Sequence, residues 1–211
     1  CKNIHDEKAG SHYIAYFQAY TNTYGPISYL RKIYEDALAE DTVHGISIAT
    51  RPDCITEEVL TILVDLKNKF SDKFVWIELG LQTIHEKTAR YIRRGYELSC
   101  FDNAVRLLQN ASIPIITHVI IGLPGESECD ICQTIDYLNQ TGIWGVKLQL
   151  LHILKGTDLE TLYRSGSISV LSKEAYLDIL IHCLERLSPE TVVHRLTGDG
   201  AGDLLLAPLW S

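Results

Sequence analysis

Phe74-Val75-Trp76-Ile77-Glu78-Leu79-Gly80 is apolar at every position except Glu78 and Gly80. A strand with one face in water alternates apolar and polar residues. This one does not, which predicts a strand covered on both faces, the habit of parallel sheets. Outward from it the same texture recurs at Tyr13–Gln18, His44–Ala49, Ile116–Gly122, Val146–Leu151 and Thr191–Leu196. Between these runs lie helical patterns with readable starts. Pro26 fits the first turn of a helix reaching about Glu40, and Thr56 caps one reaching about Lys69. Thr83 with Glu86 reads as a capping box, Ser99 and Ser127 open two further helices, and Ser172–Leu187 reads as a C-terminal one. Gly95 and Gly142 stand where helices should stop.

Strand and helix therefore alternate, which implies right-handed crossovers and a parallel sheet with helices outside. The expectation is an α/β chain with five parallel strands in chain order. The segment Thr191–Leu196 is an uncertain sixth, joining the edge in either direction. A barrel or part-barrel and an open doubly wound sheet both fit the pattern. No low-complexity linker divides the chain, so one domain over residues 1–211 is expected, with Ile153–Val170 a looser connection.

The chain has 211 residues, 46% hydrophobic and 22% charged, a composition that excludes a disordered protein. No apolar run approaches the roughly eighteen residues of a membrane span, so no membrane partner is expected. A net charge of −8 disfavours bulk electrostatic binding of nucleic acid, although a local basic patch remains open. The irregularly spaced cysteines look like reduced thiols, and a cytoplasmic location is expected. The chain opens on Cys1 and contains no Met, which suggests a fragment.

In parallel α/β folds the chemistry gathers at the carboxyl ends of the strands. This sequence loads those ends repeatedly: Gln18–Tyr24 after the first strand, Thr50-Arg51-Pro52-Asp53 after the second, Glu78 and Gln82-Thr83 on the third, His118 and Gly122–Glu126 on the fourth, Leu151-His152 after the fifth. Glu78 amid Val75, Ile77 and Leu79 needs a partner or a ligand, since an unpaired buried charge costs several kcal/mol. A ligand bearing amino, carboxylate and hydroxyl groups would satisfy Glu78, Gln82, Arg94 and His118 together. Cys129-x-x-Cys132 falls inside the helix begun by Ser127, with no second Cys or His pair nearby, and reads as structural rather than metal-binding or redox-active.

Taken as a set, Phe17–Tyr24, Ala49–Cys54, Glu78–Thr83, His118–Glu126 and His194–Asp199 resemble the YhcC-type bacterial radical SAM proteins. They are similar, more loosely, to the Elongator catalytic subunit and to oxygen-independent coproporphyrinogen III oxidase. The resemblance implies a partial (β/α)6 TIM-like barrel, with residues 153–211 an extension packed on it. It also implies a [4Fe–4S] cluster and S-adenosylmethionine as cofactors, and a reaction in which reductive cleavage yields a 5′-deoxyadenosyl radical that acts on an unknown substrate. A flavodoxin or ferredoxin would be the electron donor. The three cluster cysteines are expected upstream of Cys1, with no metal ligand inside the chain. Carried over residue by residue, Ala19, Tyr20, Thr21 and Asn22 match the segment at the methionyl amino group. Gln82 matches a ribose contact, Arg94 the carboxylate-binding Arg, and His118 a polar ribose contact. Backbone around Ile120 to Leu123, with Gly122 in it, would face the adenine, and Leu151 with His152 would close the pocket. Thr50 belongs to the motif after the second strand, where relatives carry Glu in place of Ala49. Two other readings stand beside this one: a cluster-free barrel hydrolase or lyase using Glu78 and His118 as acid and base, and a non-catalytic nucleotide-binding module.

Overall fold

The computed structural model describes residues 12–198 and 202–211. In chain order the elements are β1 (Tyr13–Phe17), α1 (Ile27–Ala39), β2 (Val43–Thr50), α2 (Glu57–Lys69), β3 (Phe74–Gln82), α3 (Glu86–Tyr91), α4 (Leu98–Asn110), β4 (Ile115–Ile121), α5 (Glu128–Thr141), β5 (Gly145–Leu150), β6 (Ile153–Leu154), α6 (Asp158–Arg164), α7 (Lys173–Arg186), β7 (Val192–Arg195) and β8 (Leu205–Ala207). Six strands form one sheet in the order β1-β2-β3-β4-β5-β7, and every neighbouring pair is parallel. The strand of uncertain direction thus joins the β5 edge in parallel, completing a curled half-barrel.

The curl has a direct measure. β1 and β5 are four strand positions apart, which would separate them by roughly 19 Å in a flat sheet. Yet the Lys147 ammonium on β5 lies 3.2 Å from the Tyr16 hydroxyl on β1. Odd positions of β3, from Val75 to Leu81, are buried against the surrounding helices together with Ile46, Ile48, Val119, Ile121, Val146 and Leu148. Even positions face the concave side. At its lower end Phe74 and Trp76 stack at 4.3 Å, and Trp144 and His194 pack against Trp76 at 5.0 and 5.7 Å.

Helix starts differ from expectation in two places. Thr56, Ser127 and Ser172 cap as expected, Ser127 in a full capping box with Asp130. The Thr83–Glu86 box is absent: α3 begins after His85, which makes no side-chain cap. The Thr83 hydroxyl donates instead to Glu126 and accepts from the His85 amide. Nor does Ser99 open α4, whose capping position is Glu97. α3 also ends earlier than Gly95 suggested, at Tyr91, so Arg94 lies beyond the helix. The connection after β5 carries β6 and α6. β6 pairs antiparallel with β8 over a small apolar cluster of Leu123, Leu151, Ile153 and Ala207.

Candidate functional site

Halfway up the concave face, one side chain from each of four strands converges on Glu78 of β3. Its carboxylate accepts hydrogen bonds from Tyr16 (2.8 Å), Ser47 (2.6 Å) and His118 Nε2 (2.7 Å), and Lys147 reaches both oxygens at 2.7 and 2.6 Å. Only 3% of Glu78 is exposed. Burial by itself would raise its pKa. The bonds from His118, Lys147 and Ser47 overcome that cost and hold the carboxyl well below the usual carboxylate range. The Tyr16 phenol moves the other way, pushed up by burial and by the adjacent Glu78 charge. Nε2, turned to a carboxylate, is the donor in this pair whenever the ring is neutral. That leaves Nδ1 as the acceptor, 3.5 Å from the Gln149 amide.

Above this layer the strand ends carry small or half-buried groups. Ala49 and Gly80 stand over it, flanked by Gln82, His118, Ile120 and Gln149. Gly80 leaves the space that the Gln82 carboxamide occupies: a methyl there would come within 2.6 Å of the Gln82 nitrogen. Gln82 itself adopts φ 64°, and Tyr96 donates to both the Gly80 carbonyl and Gln82 Oε1. Tyr96 lies between two guanidinium groups, with Arg51 and Arg94 at 5.0 and 4.9 Å from its ring. Burial pushes its phenol up to about 12.

The remaining candidates fall into two groups. Gly122, at φ 90°, and buried Leu151 meet near Leu171, while half-buried His152 lies beside Gly198. Others are spent on structure. The Asn22 amide donates to the Phe17 and Ala49 carbonyls, and Thr50 bonds Thr23, which donates to Cys54. These bonds tie the β1–α1 loop to the end of β2. Tyr20, beside Ala19 and Thr21, points into solvent at 99% exposure. Arg94 is the sharpest departure. Its guanidinium is buried and bonds the carbonyls of Tyr96, Leu81 and Thr83 and the Glu86 carboxylate. As arranged it braces the end of β3 instead of presenting a fork to a ligand. Sequence reasoning missed Tyr16, Ser47, Tyr96, Lys147 and Gln149; only Lys147, the lone charge in an apolar strand, left a signal.

The upper layer suits a nucleoside with an amino acid attached. It offers the His118 acceptor and the Gln82 and Gln149 carboxamides around a floor whose own groups are already paired. For an iron–sulfur cluster the fit is different. Among the described residues no three Cys, His, Asp or Glu side chains are placed to hold a metal. Cys129 and Cys132 both lie on α5, the first exposed and the second buried, and Cys1 is outside the described residues.

Comparison with known proteins gives the family and the fold. The family model described as the Radical SAM superfamily matches residues 1–138, and the Radical_SAM C-terminal domain matches residues 143–211. YtqA of Bacillus subtilis (strain 168) is 41% identical over 208 residues, covering 99% of this chain and 64% of that protein. YhcC of Escherichia coli (strain K12) is 36% identical over 198 residues, covering 94% of this chain and 63% of that protein. The chain thus spans less than two thirds of the length of these relatives. Among solved structures, an N-terminally truncated Elp3 of Methanocaldococcus infernus superposes with a TM-score of 0.78 at 16% identity, covering 92% of this chain and 49% of that one. Methylornithine synthase (PylB) gives 0.58 at 13% identity, covering 85% and 63%. Both share the fold. With the strand-end site and the superfamily match covering residues 1–138 together, the chain belongs to the radical SAM superfamily.

Proposed function

We propose that the chain forms the S-adenosylmethionine-binding part of a radical SAM enzyme, with the nucleotide laid across the carboxyl ends of β1–β5. The observation that carries this reading is the contrast between two layers. Glu78 and its partners satisfy one another, while Gln82, His118 and Gln149 at the strand ends are only half-buried, with His118 Nδ1 and the Gln149 amide meeting at a long 3.5 Å. Bound together with the family's [4Fe–4S] cluster, S-adenosylmethionine would supply radical chemistry for hydrogen abstraction. This chain's residues orient the nucleotide. His118 Nδ1 accepts from a hydroxyl, Gln82 offers its amide, and the backbone from Ile120 to Gly122 borders the base. Arg94 keeps the Leu81 and Thr83 carbonyls in place, a positioning role. The reading includes oxidoreductase chemistry in the cytoplasm with a flavodoxin- or ferredoxin-type donor.

The hydrolase reading is weaker for a specific reason. Glu78 and His118 are within hydrogen-bond distance, but a carboxylate that accepts from four side chains has no free lone pair to take a proton from a substrate. The test is anaerobic reconstitution of the full-length protein with iron and sulfide, followed by reduction and assay for 5′-deoxyadenosine. The expected result is its formation from S-adenosylmethionine, lost in Gln82→Ala. Nucleotide-independent hydrolysis abolished by His118→Ala, with no 5′-deoxyadenosine, would establish the other reading.

A further inference from the structure

Away from the strand-end site, a groove of about 600 Å³ runs between α3 and the segment following α6. Lys87, Arg90 and Tyr91 form one wall, and Gly125, Ser167 and Ile168 face them. Spaced i, i+3 and i+4, the three α3 residues share one helical face, and all three are exposed. A second hollow of about 440 Å³ shares Tyr91 with the groove and is bordered by Ile92, Leu159 and Leu162 together with the Arg93–Asp158 pair.

The charges along it are unevenly matched. Arg93 is held by Asp158 at 2.6 Å. Glu86 is committed to Arg94 and to the Leu98 amide, and Glu126 to Thr83. Among the described residues, Lys87 and Arg90 have no side-chain hydrogen bond or ion pair. Two uncompensated cations therefore border an apolar trench in a chain whose net charge is −8. Solvated cations on a flat helix face would be ordinary. Cations at the mouth of an apolar trench match a ligand with two ends.

We propose that this groove binds an amphiphilic anion, its anionic head on Lys87 and Arg90 and its apolar stem along Tyr91 and Ile92 toward Leu159 and Leu162. Two N–H-bearing cations can share one head group through charge-assisted bonds. The stem would gain by leaving water along the trench. Neither part needs a cluster, an electron or S-adenosylmethionine, so the groove and the radical reading stand or fall separately.

The test is calorimetric titration of the full-length protein, without reductant, with decyl phosphate below its micelle-forming concentration. Decyl phosphate is expected to bind, with inorganic phosphate and decanol each about tenfold weaker or worse, because each keeps one half of the recognition. Lys87→Gln with Arg90→Gln should weaken decyl phosphate by about tenfold or more and leave decanol unchanged. Ser167→Trp, which fills the trench from an exposed position, should weaken both, and Lys173→Gln on α7 should change neither. Undiminished affinity in the Lys87/Arg90 double variant, or inorganic phosphate binding as tightly as decyl phosphate, would overturn the proposal.

Discussion

Glu78 and Lys147 are 69 residues apart in sequence and 2.6 Å apart in space, each almost wholly out of water. Removing one partner of such a pair leaves the other's charge buried and unmatched. Glu78→Gln should therefore cost about 3–5 kcal/mol, read by urea unfolding near neutral pH. The pH dependence has a definite sign. The folded carboxyl titrates below its unfolded value of about 4.3, so its contribution is fully present above that pH and is lost as acid protonates it. Wild type should lose stability steeply below about pH 4.3, and Glu78→Gln should show a shallower slope there. Equal slopes would mean that Glu78 is not the group being titrated. Glu78 and His118 were legible because a polar residue in an apolar strand must be accounted for. Tyr16 and Ser47 were not, since neither is out of place in a strand. Arg94 shows the opposite limit: its spacing from Gln82 put it in the right neighbourhood, but where a guanidinium points depends on which carbonyls the chain leaves open.

At the scale of elements, the six strands of the main sheet were readable to within a residue or two, because continuous apolar runs survive any local choice of hydrogen bond, whereas the short β6–β8 pair was not. Caps were less so, because a hydroxyl serves whichever partner tertiary packing brings. Thr83 went to Glu126, while Ser127 opens its helix as expected and adds a box with Asp130. Ser127→Ala should cost about 1 kcal/mol in thermal or urea unfolding, and Ser99→Ala a few tenths at most, since Ser99 caps nothing. Strand packing gives a second comparison. A methyl added at Gly45 would sit 2.3 Å from the Phe74 ring, so the ring lies directly on the β2 backbone. Gly45→Ala should cost about 1–3 kcal/mol by overpacking. Shortening the ring with Phe74→Leu in the same chain should recover part of it, a coupling that independent sites would not show.

For the whole molecule, the curl was implied by the family resemblance but not by the alternation of elements, which fitted an open sheet equally well. Strand order and direction follow from alternation, whereas closure into a half-barrel depends on accumulated twist and on which side chains fill the inside. The curl gives the concave face two distinct ends. Its lower end is filled by Phe74, Trp76, Trp144 and His194, and its middle by the paired charges around Glu78. Among the described residues these groups fill the lower end and middle, so the carboxyl ends of the strands are the side on which the proposed function lays the nucleotide. Hydrogen exchange on the full-length, reconstituted protein should register that polarity. S-adenosylmethionine is expected to slow exchange in peptides covering residues 18–24, 80–83, 118–123 and 149–152. Peptides covering the amino ends, residues 43–46, 74–76 and 114–116, should exchange at unchanged rates. A global stabilisation would slow both sets, so the ratio between the two ends is the quantity to read. Protection concentrated at the amino ends would place the nucleotide on the wrong face of the half-barrel and remove Gln82 and His118 from its site.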